Sequence, residues 1–172
     1  MRHPGLLSSL CLLAFFSAVS LGQSKPTPVV PNVCPVTKPA EPSFVPPAPH
    51  PTKLPREEFW FGNDRLWTAL PAAGIWDGLP HYTPDDPTFR QKLFLWRQGY
   101  DPRTEPLPKV TVKGQRLDSS AAPLQSDDHA NGGWTADDQF IVTGINLPTA
   151  GCWEITANYQ NDRLTFVVWV AP

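Results

Sequence analysis

Cysteine is scarce in this sequence: there are three in 172 residues, Cys11, Cys34 and Cys152. That is too few for a disulfide-rich scaffold. The four histidines lie far apart in sequence, so no set of nitrogen and sulfur donors has the spacing of a zinc site. No run of Lys and Arg occurs, and 14 cationic side chains face 16 acidic ones for a net charge of -2. A nucleic-acid interface therefore lacks its electrostatic footprint, and so does attraction to an anionic membrane. Beyond the first residues no apolar stretch approaches the ~20 residues of a membrane helix. No window of about ten residues keeps a helical period, and no repeat unit is visible. The tetrapeptide Asn-Asp-Arg-Leu does recur at 63–66 and 161–164, but nothing around it repeats, so shared turn chemistry explains it. No Gly-x-Ser-x-Gly elbow or Ser/His/Asp grouping stands out, and Cys34 is followed by Pro35, unlike a catalytic thiol. Together these absences argue against a nucleic-acid-binding protein, a helical bundle, a multi-span membrane protein and an enzyme with a cofactor.

What is present begins with an export signal. Arg2 precedes an apolar stretch from Leu6 to Leu21, and Ser20 and Gly22 put small residues at the -3 and -1 positions of a cleavage site. Residues 1–22 read as a signal peptide, with the mature chain starting at Gln23. Loss of Arg2 takes the net charge from -2 to -3. Cys11 lies too early and Cys34 too late for lipid attachment, so the expected product is soluble, secreted or periplasmic, with no membrane span after cleavage. In that oxidising compartment the two remaining cysteines, Cys34 and Cys152, are expected to pair.

From Gln23 to Arg56, 11 of 34 residues are proline, half of the 22 in the chain. This segment reads as an extended arm or linker, because proline removes a backbone donor and fixes φ. The folded domain is expected over residues 57–172. Phe59–Gly62 and Arg65–Leu70 read as strands around an Asn63-Asp64 turn. Pro71 to Pro87 reads as loop, anchored by Trp76 and Tyr82. Strands are expected again at Phe89–Trp96, from Lys109 towards Leu117, and at Gln139–Leu147, with Ser119–Asp138 as a long polar loop between the last two. The clearest element is the hairpin from Gly151 to Val170. Trp153, Ile155, Ala157 and Tyr159 alternate with polar residues, and Leu164, Phe166, Val168 and Val170 form a second apolar row. Gln160-Asn161-Asp162 supplies its turn. Val167 and Trp169 have the opposite parity, so the last strand is apolar on both faces; the arm, tied down at Cys152, is expected to cover the second face. Short strands separated by turn signals predict an all-β antiparallel sandwich.

Three sets of residues carry possible chemistry. Asp127, Asn131 and Asp138, with Gly132 between them, partly match a calcium loop, but His129 stands where an oxygen ligand belongs and no helices flank it. A solvated acidic loop is the preferred reading, with no metal or other cofactor. A metal-dependent hydrolase would need His81, Asp86 and His129 to converge. The third set is aromatic: Trp60, Trp67, Trp76, Trp96 and Trp134 could form a sugar-binding surface, against the alternative that large rings fill the core of a small sandwich.

Cys34-Pro35-Val36-Thr37, the aromatic strand ending Gly62-Asn-Asp-Arg-Leu-Trp67, Gly114-Gln-Arg-Leu-Asp118, Pro148 through Gly151-Cys-Trp-Glu154 and Leu164-Thr-Phe-Val167 together resemble a group of uncharacterised exported bacterial proteins. The resemblance implies that the two cysteines belong to one design and that the C-terminal half is immunoglobulin-like. It implies no activity. The sequence thus predicts an exported, non-enzymatic interaction or structural module, whose partner is an envelope or extracellular protein or a glycan. The carbohydrate-binding module is the first alternative and the hydrolase the second.

Overall fold

The computed structural model describes residues 28–51 and 54–172. The expected signal peptide and its cleavage site before Gln23 lie outside them. The C-terminal hairpin forms as its alternation dictates. Strands β9 (Gly151–Tyr159) and β10 (Asp162–Val170) pair with Trp153 opposite Val168, Ile155 opposite Phe166 and Ala157 opposite Leu164, and all six of these side chains are buried. The turn differs from expectation. Gln160, not an Asn or Asp, takes the left-handed conformation, with φ 52°. Asp162 belongs to β10 and is buried, with its carboxylate oxygens 3.4 Å from Arg65 Nε and 3.5 Å from Arg97 Nε. Two guanidinium groups hold in the structure a residue that the sequence offered as turn material.

The other strands are β1 (Glu58–Gly62), β2 (Leu66–Pro71), β3 (Ile75–Trp76), β4 (Phe89–Arg97), β5 (Val110–Arg116), β6 (Gln125–Ser126), β7 (Asn131–Trp134) and β8 (Gln139–Leu147). One sheet runs β1-β2-β4-β8-β6, with β7 also on β8; the other runs β3-β10-β9-β5. The order β2-β4-β8-β7 facing β5-β9-β10 is the immunoglobulin arrangement of two antiparallel sheets joined by Greek-key connections. To it are added a leading strand, β1, and the short β3, which runs parallel to β10. Between the sheets lie Leu66, Leu70, Leu95, Ile141 and Ile145 from one side and Trp153, Ile155, Phe166 and Val168 from the other. The β1–β2 turn closes as Asn63 Oδ1 accepts from the amides of Arg65 and Leu66 at 2.9 and 3.1 Å.

Two expected loops contain strands. Within Pro71–Pro87, Ile75 and Trp76 pair with β10 and Trp76 is buried, whereas Tyr82 is exposed and touches β4 through the Arg90 guanidinium, 4.5 Å over its ring. Within Ser119–Asp138, β6 and β7 lie successively along the open edge of β8. That edge needs backbone partners, and the glycines of β7 let the chain come close. A Cβ on Gly133 would sit 2.3 Å from the Phe140 ring. A strand reading Asn-Gly-Gly-Trp carries no alternation to announce it.

The proline-rich arm docks on both sheets. Cys34 is bonded to Cys152 on the outer side of β9. At Thr37 the arm extends the second sheet beyond the end of β3: the Thr37 amide donates to Val167 O at 2.9 Å, and the Val167 amide donates to Thr37 Oγ1 at 2.8 Å. The arm then crosses to the outer face of the first sheet. There Phe44 packs 6.3 Å from Trp67, Pro46 is buried and Pro51 O accepts from Trp60 Nε1 at 2.7 Å. The covering expected near Cys152 is therefore only its first contact.

The anchor at Cys152 is buttressed by charge. The Cys152 amide and Arg116 Nε both donate to Asp118 Oδ1, at 3.1 and 2.7 Å. The Arg116 hydrogen bond, with the Cys152 amide assisting, holds the Asp118 carboxyl below the usual carboxylate range against the opposing effect of burial. A depressed folded-state pKa gives stability that is complete above the unfolded value of about 3.9 and fades as pH falls through the folded value. Asp118→Asn is expected to melt below wild type at neutral pH. The difference should close as thermal melts are repeated below about pH 4; a difference that stays constant with pH would show that the carboxylate charge is not what matters.

Candidate functional site

Strand parity puts Trp60, Trp67 and Trp96 on the outer face of the first sheet, since Trp60 pairs with Ala69, Trp67 with Gly62 and Trp67 with Trp96. The arm brings His50 into their midst, with ring centroids 5.9, 5.3 and 6.5 Å from Trp60, Trp67 and Trp96, all edge-on. Asp138, just before β8, completes the cluster. Its Oδ2 accepts from Trp96 Nε1 at 2.8 Å, and its Oδ1 lies 3.5 Å from His50 Nδ1. The cluster therefore fastens the arm, and it also forms one side of a cleft.

That half-open cleft has a volume of about 560 Å³, within the ~300–1,000 Å³ of small-molecule sites. Arm residues Pro47–His50 form one wall and the segment Trp134–Gln139 the other, with Trp67, Arg97 and Tyr100 also lining it. Trp67 is 1% exposed and Trp134 is 62% exposed. Three buried polar atoms lack a hydrogen-bond partner among the described residues: Trp67 Nε1, Arg97 Nε and Asp138 Oδ1. All three belong to residues lining this cleft. Arg97 Nε lies 3.5 Å from Asp162 Oδ2 and Asp138 Oδ1 lies 3.5 Å from His50 Nδ1, both within ion-pair distance without an aligned hydrogen bond. Leaving a buried donor unpaired costs ~1–3 kcal/mol, and Trp67 Nε1 has no ion pair among the described residues to offset that cost. Beside them, burial first, with Glu105 and Asp101 adding to it, pushes the Tyr100 phenol up to about 12. It stays protonated and donates to Glu105 O at 2.8 Å.

The five tryptophans do not form one flat surface. Trp60, Trp67 and Trp76 are buried, Trp96 is half-buried, and Trp134 stands exposed. Trp76 lies in the core, 6.2 Å from Phe166. The calcium-loop residues are also separated. Asp127 Oδ2 accepts from the Gly144 amide, while Asp138 precedes Gln139, the first residue of β8; at ~3.3 Å per strand residue these points on β8 are roughly 15–20 Å apart. His81 and Asp86 do meet, through Thr88. His81 Nδ1 is 3.1 Å from Thr88 O and Asp86 Oδ1 accepts from the Thr88 amide at 2.9 Å. Chiefly through that amide bond, the Asp86 carboxyl is held below its ordinary range. His129 is exposed and is not among the residues lining the second cleft, of about 530 Å³, which His81 shares with Arg90 and Asp127.

Sequence reasoning missed the roles of His50 and Arg97. His50 lies in a stretch whose composition reads as linker, and Arg97 ends a strand; neither sits in a motif. Comparison of the chain with protein-family profiles, curated proteins and solved structures returned no match.

Proposed function

We propose that this chain is an exported, non-enzymatic interaction module that binds its ligand in the cleft between the docked arm and the segment Trp134–Gln139. The observation that carries this reading is a cleft of about 560 Å³ lined by an exposed indole, Trp134. A solvent-facing aromatic at a concave opening is the anchor of a preformed binding site. Export is supported by the leader pattern and by the Cys34–Cys152 bond, which suits an oxidising compartment. Among the described residues no helix is long and apolar enough to cross a membrane.

The test is a titration of isotope-labelled, disulfide-bonded mature protein with small neutral, anionic and cationic compounds: saccharides, dipeptides, citrate and spermidine. At least one is expected to shift the Trp67 indole N–H resonance saturably. Trp134→Ala should weaken that response by about tenfold or more, as loss of an aromatic anchor does, with little change in melting temperature because the side chain is exposed. Silence of Trp67 across the whole panel would sink the reading.

A further inference from the structure

The second cleft, of about 530 Å³, holds a cationic side chain that the fold orients without pairing it. On the outer face of β4, Arg90 stands opposite Asn146 of β8 and Lys92 opposite Gly144. The Arg90 guanidinium is fixed from two directions. Its Nε donates to Asn146 Oδ1 at 3.3 Å, and its central carbon lies 4.5 Å over the Tyr82 ring. Among the described residues no carboxylate comes within ion-pair distance of Arg90 or Lys92. Asp86 lies near enough to feel the charges of His81 and Arg90, but it does not line the cleft. One carboxylate does, Asp127. It lies flat over Gly144, whose amide donates to its Oδ2 at 3.2 Å, and a Cβ on Gly144 would collide with it. Asp127 is therefore the neighbour of Lys92 and balances its charge, which leaves Arg90 as the surplus.

A guanidinium held at its Nε and on one face keeps its two terminal nitrogens as a fork of fixed direction. Such a fork matches two oxygens of a carboxylate or phosphate. An exposed arginine ordinarily loses side-chain freedom when it binds, and here stacking and the Asn146 bond have already removed much of it. We infer that the second cleft is an oxyanion site. A small molecule bearing a carboxylate or phosphate seats two oxygens on the terminal nitrogens of Arg90, and Asn131, on the same lining, offers a neutral amide donor beside them. Tyr82 and Asn146 are positioning residues, since they act on the ligand only through Arg90. The site is separate from the cleft at Trp134, with which it shares no lining residue.

The experiment titrates the same labelled mature protein with acetate, N-acetylalanine, inorganic phosphate and methyl phosphate. Acetamide and N-acetylalanine amide, which have no anionic group, are the controls. At least one anion is expected to shift the Arg90 Nε–H and Gly144 amide resonances saturably, while both neutral amides leave them in place. A response confined to acetate and N-acetylalanine assigns a carboxylate ligand, and one confined to the phosphates assigns a phosphate. Arg90→Lys keeps the charge and loses the fork, so it should weaken binding, read at Gly144, about tenfold or more. The Trp153 indole resonance, whose Nε1 donates to Thr149 O, reports whether the variant has kept its fold. Silence with every anion, equal shifts with the neutral amides, or binding unchanged in Arg90→Lys would each overturn the inference, whatever Trp67 does.

Discussion

Cys34→Ser is expected to lower the melting temperature by roughly 5–15 °C and to open the arm to chymotrypsin at Phe44. The bond joins residues 118 apart in sequence. In the chain-entropy view a loop of that length contributes up to about 4–5 kcal/mol, and native bridges in practice contribute ~2–5 kcal/mol. For a chain of this size each kcal/mol is worth about 2–4 °C. The variant does not release the arm outright, because the Thr37–Val167 pair and the packing of His50 among three indoles remain. The arm should therefore open and close, with proteolysis following its open population. Non-reducing peptide mapping, thermal melts and a chymotrypsin time course check the three parts. Free thiols in the wild-type protein, or a Phe44 bond equally resistant in the variant, would refute the disulfide as the arm's anchor.

Phe166→Ala is expected to cost about 3–5 kcal/mol, the range for emptying a large aromatic site in a core. Phe166 is 1% exposed and takes Phe61 and Trp76 edge-on at 6.4 and 6.2 Å. The rigid pairing of β9 with β10 limits collapse into the cavity. Phe94→Ala is the control. It removes the same side chain from the outer face of the first sheet, where Phe94 is 37% exposed, and it should cost no more than about 1 kcal/mol. Urea denaturation of both variants decides; equal losses would mean that the faces have been assigned the wrong way round.

That assignment is legible in the residues alone, because period-two alternation is a direct consequence of strand geometry. Leu164, Phe166 and Val168 can share only one face, and burial then chooses it. The disulfide is legible from the cysteine count and the leader-like pattern of residues 1–22. β6 and β7 are not, because their pairing is imposed by the vacant edge of β8 and not by their own residues. The cleft is hidden for a related reason. Pro47–His50, Trp67, Arg97 and Asp138 come from four separated stretches, and only the docking of the arm joins them. The tryptophans can be named as functional candidates, but whether each ring is core, fastening or rim depends on contacts made across the fold.

The order of strands in the second sheet has a consequence for how the molecule can be made. β3 and β5 are its two flanks, and β10 and β9, which separate them, come after every other strand in the sequence. During synthesis the flanks are therefore translated first and have nothing to pair with, and the apolar row of Leu66, Leu70, Leu95 and Ile141 has no opposing layer. Folding must wait for pairings of high sequence separation, which are slow to form because loop closure precedes any gain from contact, and the waiting chain shows unpaired strand edges to its neighbours. The first sheet, whose strands all precede the final hairpin, can pair earlier, but its apolar face stays uncovered until that hairpin is available. The second sheet is thus the last part of the molecule that can be completed, whatever the first sheet has already formed.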